Sequence, residues 1–135
     1  MKKIILNIIS TILILFIASN IINLIRADKP NIDIKKLFNQ EPQIIYFWGD
    51  WCPVCKVESY QIKQISKHLK VLKIAVNSKK QNDSINDDGR LATLFLVKAY
   101  PTIYYVVNGK VVYSDVGFTS AFSVRMKYFI LKHLP

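Results

Sequence analysis

The chain has 135 residues, a net charge of +10 and two cysteines. This length makes one domain, and two cysteines are too few for a small secreted fold stapled by disulfides. The basic residues never run longer than two in a row, so the chain lacks the basic cluster expected of a nucleic-acid surface.

Lys2 and Lys3 precede an uncharged, mostly apolar run over 4–25. As a helix it would span roughly 33 Å, enough to cross a bilayer. No pair of small residues fits a signal-peptidase site after it. Residues 1–26 are therefore expected to be a retained anchor, in contact with lipid through 4–25. Basic residues flank the run on both sides, so charge alone does not orient it. Residues 27–42 read as a linker with one short helix over 34–38, capped by Asp33, with Leu37 and Phe38 inward.

Residues 43–135 read as an α/β domain. Ile44–Trp48 is a continuous apolar run, as for a strand buried on both faces. A helix is expected from Pro53, whose missing N–H suits a first turn, to about Leu69, with Val54, Val57, Ile62, Ile65 and Leu69 inward. Val71–Val76 reads as a second strand, 77–88 as a polar loop and 89–97 as a short helix. Asn108-Gly109 is a two-residue hairpin turn between strands over 103–107 and 111–113. Thr119 or Ser120 can cap a last helix to about Lys132, with Phe122, Met126, Phe129 and Ile130 inward.

Both cysteines lie in Trp51-Cys52-Pro53-Val54-Cys55, where the first strand gives way to a helix. A thiol there meets the free N–H groups and the positive end of the helix, which stabilise a thiolate. Cys52 is the expected nucleophile and Cys55, one turn on, the resolving thiol. The rival reading, half of a zinc site, lacks a second pair of ligands apart from His68 and His133 brought in by tertiary structure, and no metal is expected. Haem attachment would need histidine at position 56, which is Lys56. Trp48 reads as a core residue and Trp51 as an exposed one.

The segment from Phe47 to Cys55 with Glu58, followed by 86–92, Tyr100-Pro101-Thr102 and 117–120, resembles thioredoxin-fold proteins. It is most similar to the membrane-tethered TlpA/ScsD-like branch of bacterial protein disulfide oxidoreductases. The resemblance covers roughly 43–134. It implies a thioredoxin-like fold, a central mixed sheet flanked by helices, after the transmembrane helix. It also implies a cis Pro101 facing the dithiol and a docking surface from Trp51, Pro53, Tyr100, Pro101 and Thr102, with no cofactor beyond the redox-active Cys52–Cys55 pair.

There are three departures from the family pattern. Tyr46 stands where thioredoxins bury an acid behind the second cysteine, which leaves Glu58 and Lys73 as candidates for proton transfer, each also readable as plain surface charge. Tyr100 is bulky for the position before the cis proline. The segment 78–85 is short. The expectation is a single-pass inner-membrane protein of bacteria with its domain in the periplasm. It would exchange disulfides with envelope proteins and a membrane or periplasmic redox partner, act as reductant rather than oxidant, and bind no nucleic acid. The alternative is a non-catalytic thioredoxin-fold binding module or a copper-handling protein, although no methionine lies near the cysteines.

Overall fold

In a computed structural model, which describes residues 1–26, 30–79 and 83–135, the chain opens with helix α1 (Lys2–Arg26). Its window Lys2–Ser19 is long and apolar enough to cross a membrane, and none of that window is buried against the rest of the protein. The start of the expected linker, 27–29, and residues 80–82 of the shortened segment lie outside the described residues.

From Pro30 onward the expected linker is packed rather than free. Asp33 caps α2 (Ile34–Phe38) by accepting the Lys36 N–H, and Ile34 is fully buried. Phe38 packs against Phe95, whereas Leu37 points outward. A five-residue helix has only one apolar stripe, and Ile34 and Phe38, four apart, take it.

Five strands form one sheet in the order β3-β2-β1-β4-β5: β1 (Ile44–Trp48), β2 (Val71–Val76), β3 (Ile85–Asp87), β4 (Thr102–Val107) and β5 (Lys110–Val116). The centre is β1, parallel to β2 and antiparallel to β4. Both of its faces are covered, which accounts for its unbroken apolar run. On one face, Ile45, Phe47, Ile74, Phe95 and Tyr104 pack under α2 and α4 (Arg90–Leu94). On the other, Ile44, Tyr46, Ile103 and Tyr105 meet Ile62, Ile65, Val124, Tyr128 and Leu131 of α3 (Pro53–Ile65) and α5 (Ala121–His133). At the Asn108-Gly109 turn both residues have positive φ, 52° and 74°, the backbone that a tight hairpin asks of this dipeptide.

Four expectations are corrected. The loop over 77–88 contains β3, which pairs parallel with β2. Its polar residues conceal a strand because Asp87 turns its carboxylate onto the N–H groups of Leu91 and Ala92, both at 3.0 Å, and so starts α4. Helix α3 ends at Ile65, not Leu69. Its buried stripe is Cys55, Glu58, Ile62 and Ile65, and Val54 and Val57 are exposed. In α5 the buried residues are Val124, Tyr128 and Leu131, while Phe122, Met126, Phe129 and Ile130 face outward. Both helices carry apolar residues on two faces: in α3 the sheet kept the expected Ile62 and Ile65 but took Cys55 and Glu58 in place of Val54 and Val57, and in α5 it took the face not expected from sequence.

Candidate active site

The end of β1 delivers the chain into the turn Gly49-Asp50-Trp51 and then into α3. Asp50 fixes this turn from both sides: its N–H donates to Ser78 Oγ (2.9 Å) and its carboxylate accepts the Lys79 N–H (3.0 Å). Cys52 is the N-cap of α3 with Pro53 at the first helical position. Its Sγ accepts the Cys55 N–H at 3.2 Å, one of the amides that a helix start leaves without a backbone partner. Cys52 and Cys55 are joined by a disulfide. Both cysteines are nearly buried, Cys52 with 5% of its surface exposed and Cys55 with 1%.

Across from the dithiol, the Tyr100–Pro101 peptide bond is cis. The Tyr100 carbonyl oxygen lies 3.7 Å from Cys52 Sγ, and Pro101 is held by its own carbonyl, which accepts the Gly117 N–H at 2.8 Å. The Trp51 indole, 51% exposed, donates its N–H to the Val76 carbonyl at 2.9 Å and meets the Tyr100 ring edge-on at 5.1 Å. Trp51 and Tyr100 thus form one aromatic wall beside Cys52. Gly49 is required beneath it, because a Cβ there would overlap the Trp51 indole.

The remaining expected site residues separate. Pro53 is exposed beside Cys52. Thr102 is buried, its hydroxyl donating to the Ala99 carbonyl at 2.7 Å, which braces the proline loop. Lys73 is half-buried and lines, with Tyr46, Lys56, Ser59 and Cys55, a cavity of about 400 Å³ behind the second cysteine. Tyr46 donates its hydroxyl to the Cys55 carbonyl at 3.4 Å.

Glu58 is not surface charge. It is fully buried, one helical turn past Cys55, and both its carboxylate oxygens lie 3.2 Å from the Thr119 N–H. Burial raises its pKa to about 7, the Thr119 N–H opposes the rise, and the Asp115 charge adds to it. Burial, reinforced by the Glu58 charge, pushes the Tyr46 hydroxyl far above its ordinary range. A buried carboxyl with a pKa raised toward neutrality therefore lies on the same buried face of α3 as the resolving cysteine, one turn on, and its charge is felt at the Tyr46 hydroxyl. Sequence inspection missed Thr119 and the burial of Glu58. The usable signal was the i, i+3, i+7, i+10 spacing of Cys55, Glu58, Ile62 and Ile65, a better helical stripe than the one through Val54 and Val57.

A sequence model of the thioredoxin family matches residues 25–126, a span that contains the dithiol, the proline loop and the whole sheet. The chain belongs to the thioredoxin family. Curated relatives include a thioredoxin-like protein of Haemophilus influenzae, 26% identical over 71% of this chain and 66% of its own length. Another is the chloroplastic thioredoxin M5 of Oryza sativa, 29% identical over 73% of this chain and 55% of its own length. The chain thus spans about two thirds or less of the length of these relatives. Similar solved structures include a secreted thiol-disulfide isomerase from Corynebacterium glutamicum (TM-score 0.60, 19% identity, 73% of this chain and 75% of that one). The exposed lipoprotein thioredoxin of Streptococcus pneumoniae is also similar (TM-score 0.58, 18% identity, 70% and 88%). The fold is thioredoxin-like, and Cys52–Cys55 occupies the place of a thioredoxin dithiol.

Proposed function

We propose that this chain is a membrane-anchored thiol–disulfide oxidoreductase of the TlpA/ScsD-like branch, working on envelope proteins. The observation that carries the reading is the Cys52–Cys55 disulfide at the start of α3, opposite the Tyr100–Pro101 backbone. In the reducing direction, the Cys52 thiolate attacks one sulfur of a substrate disulfide and expels the other as a thiolate. A mixed disulfide forms. Cys55, deprotonated, then attacks Cys52 Sγ and releases the second substrate thiolate, leaving Cys52–Cys55 oxidised; two electrons have passed to the substrate. A membrane or envelope dithiol returns them by the reverse exchange. The dithiol itself carries the electrons, so no diffusible cofactor is needed.

Glu58 is the proton acceptor for Cys55 in this scheme. With its pKa raised to about 7 it can take a thiol proton and return it at neutral pH. Lys73 favours the Cys55 thiolate across the shared cavity. A substrate strand docks beside the Tyr100 carbonyl in the manner of strand addition, with Trp51, Pro53 and Tyr100 as its apolar border and Pro101 and Thr102 as the rigid base of the loop.

Helix α1 serves as the anchor, with its length and apolar character in support. The oxidising compartment suited to a protein disulfide pathway lies outside the bacterial inner membrane, which places the domain in the periplasm. The Pro-Val pair between the cysteines adds no charge that would stabilise the Cys52 thiolate further, which favours the reductant direction. Cys55→Ala should accumulate mixed disulfides on Cys52 that dithiothreitol releases, and Cys52→Ala should accumulate none. Equal, background-level insulin reduction by wild type, Cys52→Ser and Cys55→Ser would sink the catalytic reading. Equilibration with glutathione buffers decides direction, and an alkaline phosphatase fusion at the C-terminus that stays inactive would refute the topology.

A further inference from the structure

The sheet fixes which end of the domain is far from the dithiol. Strand β1 runs from Ile44 toward Cys52, so its start lies about 16 Å away from the site. Helix α3 begins at the dithiol and ends at Ile65. Strand β5 returns to the proline loop, where the Gly117 N–H meets the Pro101 carbonyl, and α5 then runs back down. Gln43 ties this far end together. Its side chain accepts the Lys70 N–H at 2.8 Å and donates to the Tyr128 hydroxyl at 3.0 Å.

The chain enters the domain at this same end. The Ile34 N–H donates to the Gly109 carbonyl of the hairpin turn at 3.1 Å, and Pro30 is already buried. Between Arg26, the last residue of α1, and Pro30 there are four Cα steps, at most about 14 Å of chain. Whatever surface α1 enters therefore lies close to the far end.

That end is basic. Lys36, Lys67, Lys70, Lys110, Arg125 and Lys132 are all exposed on it, and none makes an ion pair among the described residues. Among the described residues its carboxylates Asp33 and Glu41 are engaged, Asp33 as the cap of α2 and Glu41 with Lys35 at 3.1 Å. Helix α5 has no acidic residue, and the only one in α3 is the buried Glu58. A groove of about 540 Å³ opens there, where His68, Arg125 and Lys132 adjoin Phe122, Met126 and Phe129. Phe122 is 73% exposed and Phe129 65%. Cationic side chains set among large exposed apolar ones match the boundary between anionic headgroups and acyl chains.

We infer that the end of the domain formed by the close of α3, the β4–β5 turn and the outward face of α5 from Phe122 to His133 seats on the anionic lipid surface of the membrane that holds α1. This rests on the anchor reading above. The seat turns Cys52, Trp51 and Tyr100 away from the lipid, toward proteins in the aqueous phase. A tether this short makes the contact intramolecular, so modest surface attraction suffices.

The test uses the full chain with Phe129→Trp, an exposed position, in nanodiscs of phosphatidylglycerol or phosphatidylcholine carrying brominated acyl chains. The added tryptophan should be quenched in the anionic discs and much less in the zwitterionic ones. Native Trp48 and Trp51, at the opposite end, should not be quenched in wild type. Quenching should vanish at 1 M salt, where screening is almost complete beyond about 3 Å. The triple variant Lys70→Gln, Arg125→Gln, Lys132→Gln should lower the ratio of seated to unseated domain roughly a hundredfold, at about fivefold per basic side chain. Equal quenching in both lipids, none in either, or quenching of the native tryptophans instead would overturn the seat, as would a docked second copy or acidic protein needed to protect Phe129. Carbonate-washed vesicles separate the two readings. A chain that is stripped off yet still floats with anionic vesicles at low salt refutes the anchor and supports the seat. One that floats with neither lipid refutes both.

Discussion

Glu58→Gln separates the charge of the buried carboxyl from its shape. Glutamine has the same outline and a carbonyl that still accepts the Thr119 N–H, but it cannot ionise. In the folded wild type, burial raises the Glu58 pKa from 4.5 to about 7. The sign follows from which state holds the proton. Between about pH 4.5 and 7 the unfolded chain has lost it while the folded protein keeps it, so stability is full below the lower value and falls as pH rises through the higher one. A shift of this size corresponds to about 3 kcal/mol at most, at 1.36 kcal/mol per unit, and relaxation of the site with entry of water reduces it. Urea denaturation of the oxidised protein in detergent, at pH 5 and pH 8, reads the effect. Wild type should lose on the order of 2 kcal/mol relative to Glu58→Gln between these values, the two being nearly equal at pH 5. In single-turnover disulfide reduction, the resolving step by Cys55 should quicken through about pH 7 in wild type and lose that inflection in Glu58→Gln, whereas attack by Cys52 keeps its own pH dependence. Parallel stability profiles for the two proteins across this range would refute the assignment of a neutral buried Glu58.

Other consequences follow from packing. Phe95, which touches Phe38, Phe47 and Tyr104, is fully buried, and Phe95→Ala should cost about 3–5 kcal/mol in denaturant unfolding. Asp87→Ala removes the carboxylate that accepts the Leu91 and Ala92 N–H groups at the start of α4; it should destabilise by about 1–2 kcal/mol, and hydrogen exchange should speed at Leu91 and Ala92 before it does in β1. Gly49→Ala forces the Trp51 indole from its place over the turn. Tryptophan emission should change while the Cys52–Cys55 disulfide still forms, and KM for a protein disulfide should rise more than kcat falls.

The sequence alone determined the dithiol, its position at a strand-to-helix junction, the hairpin turn and the order of the main elements. Each is a local property. Pro53 starts a helix by its ring, Asn108-Gly109 turns by its backbone freedom, and the apolar run over 44–48 has only one way to be buried on both faces. The resemblance in the same segment located the fold and the proline loop. What the tertiary structure decided is which face of each helix the sheet takes. Helices α3 and α5 each carry apolar residues on two faces; in α3 the better-spaced stripe runs through an ionisable residue, Glu58, and so does not read as a core face from composition. The sheet buried Cys55, Glu58, Ile62 and Ile65 in one and Val124, Tyr128 and Leu131 in the other. That choice converts Glu58 from a surface charge into a buried acid with a pKa near 7, and it leaves Phe122, Met126 and Phe129 facing water beside basic residues. The cause is non-local. The Thr119 N–H that receives Glu58 lies sixty-one positions along the chain, and no pattern within α3 encodes its arrival.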